Sequence, residues 1–300
     1  MTKLQKFKPN YATVPGEIID EHREVHGMTQ AQLATRLGFS LKHVNRLLAG
    51  LEPVTPETAM KLESIFGVAA VVWINLEAAY REFHARSNEK QDLLNELPML
   101  DEIPYRAIAK LGWIRSTGKG PDTIKELRSH YGVGSLSYVP DVWEKVHSQY
   151  TGHPDFAGNV WAIMAWLAQG DRHDRPSEIG IFDAQALQAM LPDFESFGVS
   201  DSSTLVENFA EFGIVLAFIP TPKGLPVTYA TRWLSKDTAL IQLNPQAKNI
   251  NVALFRAVAH LLLHGKRQQF IGFVRPPLDD TFAQEAAEFA SRLLQPHSNL

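Results

Sequence analysis

Three hundred residues, 45% hydrophobic and 21% charged, make an ordinary globular composition with room for two apolar cores. The absence of cysteine excludes a disulfide framework, a thiolate metal site and a cysteine nucleophile. Net charge is −4, yet residues 1–50 hold seven Lys/Arg against four Asp/Glu, so a +3 head precedes a body at −7. That split argues against a general nucleic-acid coat protein and allows DNA contact at one end.

No run of about 18 apolar residues is present, and the first residues lack the apolar segment of a signal peptide, so a cytoplasmic protein without membrane contact is expected. From Pro15 to about Phe83 the pattern predicts several short helices. Over 30–37, Leu33, Ala34 and Leu37 share one face, Thr29 caps the start with Gln32 in capping-box position, and Gly38 stops the helix. Ser40 caps a second helix to about Ala49, with Val44, Leu47 and Leu48 inward. Thr55-Pro56-Glu57 opens a third, ended by Gly67.

Residues 75–98 read as a long polar helix whose 87–91 stretch suits a linker. From 100 to 212 the pattern is mostly helical, with loops at 117–121 and 170–177. The second loop, with Asp171, His173 and Asp174, reads as a solvated turn. The period then changes: 213–220 and 238–243 read as strands, and helices follow at 251–264 and 281–295. Trp161, Trp166 and Trp233 read as core residues, and Arg232 as a candidate lining of a cleft. The predicted architecture is a mainly α helix-turn-helix domain over 1–86, a helical linker over 87–99, and an α+β domain over 100–300. The last has a helical part at 100–212 and a mixed part at 213–300.

The 30–37 and 40–49 helices are separated only by a tight glycine turn. Ala34 lets the second helix cross closely, Gly38 makes the turn, and Val44 fills the angle; Leu33 and Leu47 complete the core. With those residues inward, Lys42, His43, Asn45 and Arg46 face outward, where they can meet base edges and phosphates. Gln30, at a helix start, is placed for a phosphate, and Ser40 joins this DNA-facing set. The plainer alternative is a helical hairpin with a solvated polar face.

Residues 14–22 (VPGEIIDEH), 28–68 and 73–83 (WINLEAAYREF) resemble the XRE-type helix-turn-helix of HigA-like antitoxins. The resemblance implies a transcriptional regulator that binds double-stranded operator DNA as a homodimer, often beside its own promoter. It also implies a dimer contact near Trp73, Leu76 and Tyr80, and a small cognate toxin as partner.

Residues 251–264 (NVALFRAVAHLLLH) place His260 and His264 at the i, i+4 spacing of paired zinc ligands. With 231–249, 259–271 and 285–296 (EAAEFASRLLQP), the segment resembles ImmA/IrrE-type metallopeptidases, which implies a zincin-like fold. Aligned to that family's H-E-x-x-H motif, Arg256 stands at the first histidine, Ala257 at the catalytic glutamate, His260 at the second histidine and Glu285 at the third ligand. Arginine offers no lone pair, and alanine cannot take a proton from water. With His260 and His264 as the pair instead, Leu261 stands at the base position and fails likewise. A pseudo-peptidase is therefore expected, with no catalytic residue and no cofactor. His260, His264 and Glu285 are vestigial metal candidates, and the domain is expected to bind an unidentified ligand or protein. Two alternatives remain from sequence: a zinc-dependent endopeptidase with a rearranged ligand set, and a toxin-neutralising protein that does not bind DNA.

Overall fold

The computed structural model describes residues 12–115, 118–146, 160–194, 202–266, 268–275 and 280–294. Part of the predicted loop at 117–121, the last residue of the predicted 281–295 helix, and the N-terminal stretch before residue 12 lie outside them. The chain divides into two compact units, Met1–Leu94 and Asn95–Leu300.

The first unit is all helical: α1 (Pro15–Val25), α2 (Gln30–Leu37), α3 (Leu41–Leu48), α4 (Pro56–Phe66) and α5 (Ala70–Asn95). Local chemistry sets the boundaries. Thr29, Ser40 and Thr55 each accept a backbone N–H three residues on, capping α2, α3 and α4. Ile19, Leu33, Leu37, Val44, Leu47, Leu62 and Trp73 form one buried core. Such burial of large side chains stabilises by about 1.5–3 kcal/mol each. The predicted polar helix starts earlier than expected, at Ala70, because Trp73 folds inward and its indole N–H donates to the Val68 carbonyl at 3.1 Å.

The second unit places helices around a small mixed sheet. Helices α6 (Tyr105–Lys110), α7 (Pro121–Tyr131), α8 (Val139–Val142), α9 (Val160–Asp171), α10 (Ala184–Phe194) and α11 (Ser202–Glu211) precede it. The sheet contains β1 (Ile214–Phe218), β2 (Val227–Trp233), β3 (Ala239–Leu243) and β4 (Phe270–Phe273) in the order β1-β3-β2-β4. β1 pairs with β3 in parallel, and β2 pairs antiparallel with both β3 and β4. Helix α12 (Ile250–Leu263) covers β2, β3 and β4 and packs against α13 (Thr281–Leu293). β1 and β3 are almost wholly buried and, apart from Gln242, apolar, as strands covered on both faces must be. Trp166 is fully buried and donates to the Ile219 carbonyl at 2.9 Å.

The 170–177 segment is largely exposed, as expected, but its first carboxylate is anchored. Asp171 ends α9 and accepts from Arg232 Nη2 at 2.6 Å, an arginine that is itself almost fully buried. Burial lowers the Arg232 pKa, and the Asp171 carboxylate opposes that shift. A buried cation needs such a partner.

Candidate functional site

The helix-turn-helix is built from backbone conformation outward. Gly38 takes φ 71° and ψ 30°, the left-handed geometry that ends α2, and the Phe39 N–H then returns to the Ala34 carbonyl at 3.0 Å. The turn is held from α4 as well: Lys61 donates to the Leu37 carbonyl at 2.8 Å while its ammonium lies 4.3 Å from the Phe39 ring centroid. Leu33, Ala34, Val44 and Leu47 are all buried at the α2–α3 crossing.

With that side fixed inward, Gln30, Ser40, Lys42, Asn45 and Arg46 are exposed. They are not equivalent. Among the described residues Lys42 makes no ion pair, whereas Arg46 Nε donates to Glu52 Oε1 at 2.8 Å. This hydrogen bond holds the Glu52 carboxyl below the usual carboxylate range. Ser40 Oγ accepts from the His43 N–H at 3.2 Å, so its lone pair caps the helix and its hydroxyl proton remains available to an acceptor. His43 is only half exposed, because its ring packs 4.4 Å from that of Phe39. The structure thus brings five of the six predicted DNA-facing residues to the surface and tucks the sixth partly beneath.

Trp73 does not reach a surface. It is completely buried in the first unit's own core, so its side chain cannot form the expected dimer contact; the indole serves the α4–α5 junction instead. Leu76 and Tyr80 are half exposed. Pattern reading also missed Glu77. Buried on α5, it accepts from the Val54 N–H at 3.1 Å and from Arg81 Nε at 2.6 Å, fixing the loop that follows α3. No local motif marks such a residue, because its partner lies 23 positions away.

In the second unit, the histidine helix brings His260, His264 and Glu285 together. The two Nδ1 atoms lie 3.0 Å apart, His264 Nε2 is 2.8 Å from Glu285 Oε2, and the Tyr229 hydroxyl is 2.9 Å from His260 Nε2. Gly272 makes the last contact feasible, since a Cβ there would overlap the Tyr229 ring. Burial first, then the neighbouring His264 and Arg256, push the His260 pKa down to about 3. Every ring nitrogen of the pair is thus engaged within the chain, and Ala257 is buried and apolar. Among the described residues no group of three or more His, Asp or Glu is arranged to hold a metal ion. Arg256, close enough to lower the His260 pKa, offers no lone pair to a metal ion.

Residues 19–73 match the family model described as Helix-turn-helix. The uncharacterized HTH-type transcriptional regulator YddM of Escherichia coli (strain K12) is 32% identical over 66 residues, spanning 22% of this chain and 70% of that protein. The chain belongs to this helix-turn-helix family. A putative HTH-type transcriptional regulatory protein of Pyrococcus abyssi is 35% identical over 88 residues, but this chain spans only 28% of its length. Virulence-associated protein I of Dichelobacter nodosus is 29% identical over 86 residues, 28% of this chain and 79% of that protein. Among solved structures, Pseudomonas aeruginosa antitoxin HigA with the higBA promoter is 26% identical, covering 29% of this chain and 95% of that one, with a TM-score of 0.27. All of these likenesses cover less than a third of this chain. Among the described residues, no helix is long and apolar enough to cross a membrane.

Proposed function

We propose that the chain is a sequence-specific transcriptional regulator of the HigA-like antitoxin or autorepressor type, which docks α3 into the major groove of operator DNA. The observation that carries this reading is the amphipathic α3: Val44 and Leu47 are buried at the α2 crossing while Lys42, Asn45 and Arg46 stand exposed on its other side. Membership of the helix-turn-helix family supports it. Lys42 and Arg46 supply cations for phosphate or guanine, Asn45 an amide for adenine, and Gln30 a phosphate contact at the α2 start.

One recognition helix buries too little surface to select a site in a genome, so the active species is taken to be a homodimer reading two half-sites. A small toxin as partner belongs to the same reading. The second unit is proposed to be a non-catalytic, metal-free binding unit. Arg256 and Ala257 support this by standing where zinc-peptidase chemistry needs a ligand and a base, and His260 and His264 by bonding each other.

Selection of random duplexes by the full chain tests the main reading. Recovery of a two-fold repeated motif with half-sites about one helical turn apart is expected. Recovery of no motif contradicts it.

A further inference from the structure

One pocket in the second unit has features that neither DNA binding nor the histidine cluster uses. It measures about 550 Å³ and is lined by Trp143, Val146, Arg232, Trp233, Lys266 and Gln269, with Asp141 and Glu144 also at its wall. That volume lies within the range of small-molecule sites.

We infer that this pocket binds a small organic anion, a carboxylate carried on an apolar body. The inference rests on the reading of the second unit as a binding unit rather than an enzyme. Charge decides the sign of the ligand. Arg232 is already neutralised by Asp171, and its guanidinium lies 5.6 Å from the Trp143 ring centroid. The Lys266 ammonium lies 4.6 Å from the Trp233 centroid and 5.6 Å from that of Phe182, donates to the Lys236 carbonyl at 3.1 Å, and makes no ion pair among the described residues. A ligand cation would need these indole faces, which two protein cations already approach. An anion meets an uncompensated ammonium instead.

Hydrogen bonding points the same way. Trp143 Nε1 and Gln269 Nε2 are buried donors with no acceptor among the described residues. An indole N–H can only donate, and a buried donor left without a partner is costly. Both residues line the pocket, so a carboxylate bound there would offer the acceptor that each donor lacks. Asp141 and Glu144 oppose an anion, but both are exposed, and water and salt limit their reach. The tryptophan rings and Val146 supply the apolar wall against which the rest of the ligand packs.

The test is calorimetric titration of the full chain with phenylacetate, uncharged phenylacetamide and acetate, beside elemental analysis of the same protein. Saturable phenylacetate binding is expected, with phenylacetamide weaker by about tenfold or more, the worth of one charged hydrogen bond, and acetate weaker by about tenfold or more for want of the apolar body. Lys266→Met, at an exposed position, is expected to weaken phenylacetate by a similar factor. Trp143→Phe, which keeps an aromatic ring and removes the donor, is expected to weaken it severalfold. Equal binding of phenylacetamide, unchanged affinity in Lys266→Met, or no saturable binding to zinc-free protein overturns the pocket assignment alone. Stoichiometric zinc in the purified chain overturns the metal-free reading of the second unit on which it rests.

Discussion

The Nδ1 atoms of His260 and His264 face each other at 3.0 Å, and the chain of bonds continues to Tyr229 on one side and Glu285 on the other. With Glu285 accepting, one proton arrangement satisfies every group. Tyr229 donates to His260 Nε2, His260 Nδ1–H donates to His264 Nδ1, and His264 Nε2–H donates to Glu285. The residues that resemble metal ligands thus tie β2, α12 and α13 together.

That arrangement fixes a pH dependence. The His260 pKa is pushed down to about 3, below the ordinary value of 6.5, so the unfolded chain binds the proton more readily than the folded one. This contribution to stability is full above pH 6.5 and is lost as pH falls from 6.5 towards 3. Chemical denaturation of the full chain at a series of pH values is expected to show it. His260→Phe should flatten the slope of stability between pH 6.5 and 4.5. An unchanged slope would show that the ring is not held neutral by its surroundings.

Glu96 and Arg128 form a second buried link, with Nη2–Oε1 at 2.7 Å and Nε–Oε2 at 3.0 Å. Desolvation alone would raise the Glu96 pKa, but hydrogen bonds from Arg128, Ser135 and the Leu136 N–H outweigh it and hold the carboxyl low. Its contribution is therefore present above the ordinary carboxylate value and fades as acid protonates the group. Removing one partner strands the other, so Arg128→Met is expected to cost the second unit about 3–5 kcal/mol in urea unfolding. A loss below 1 kcal/mol would mark the pair as solvated.

The Arg46–Glu52 bond has a different consequence, because it sits on the proposed DNA face. Glu52 both orients the guanidinium and keeps a negative charge near the phosphates. Glu52→Gln is expected to tighten binding to random duplex while narrowing the preference for the selected motif, because a guanidinium that is no longer oriented discriminates less between bases. The ratio of the two affinities, measured at one salt concentration, checks this. A wider ratio contradicts a positioning role.

Leu47 is buried where α3 packs into the first unit's core. Leu47→Ala is expected to destabilise that unit by about 2–5 kcal/mol through lost transfer energy and the cavity left behind. Amide exchange in α2 and α3 should rise, whereas exchange in β3 should not. Parallel loss in both would contradict separate cores.

Much of the first unit was legible because its signals are local. Thr29, Ser40 and Thr55 cap helices within three residues, Gly38 turns the chain, and the inward face repeats at helical spacing. What escaped reading depends on distant partners. Trp73 looked like surface until Val68 and the α4 residues enclosed it, and the ion pair of the exposed Asp171 left no local signal because Arg232 lies 61 positions away. Strand β2 was missed because its buried Thr231 and Arg232 resemble loop residues, and β4 because four residues with an inner glycine carry almost no periodic signal. Polar residues buried by tertiary pairing break the alternation on which strand reading depends.

The most direct test of the proposed function is the salt dependence of binding to the selected duplex, for the native chain and for Lys42→Ala with Arg46→Ala. Each lost phosphate or base contact is expected to cost about 1–3 kcal/mol, and each lost phosphate contact should reduce the logarithmic salt slope by about 1. Weaker binding with a shallower slope in the double variant is the expected result. Native affinity and native slope in that variant would contradict the account, because α3 would then not be the surface that meets DNA.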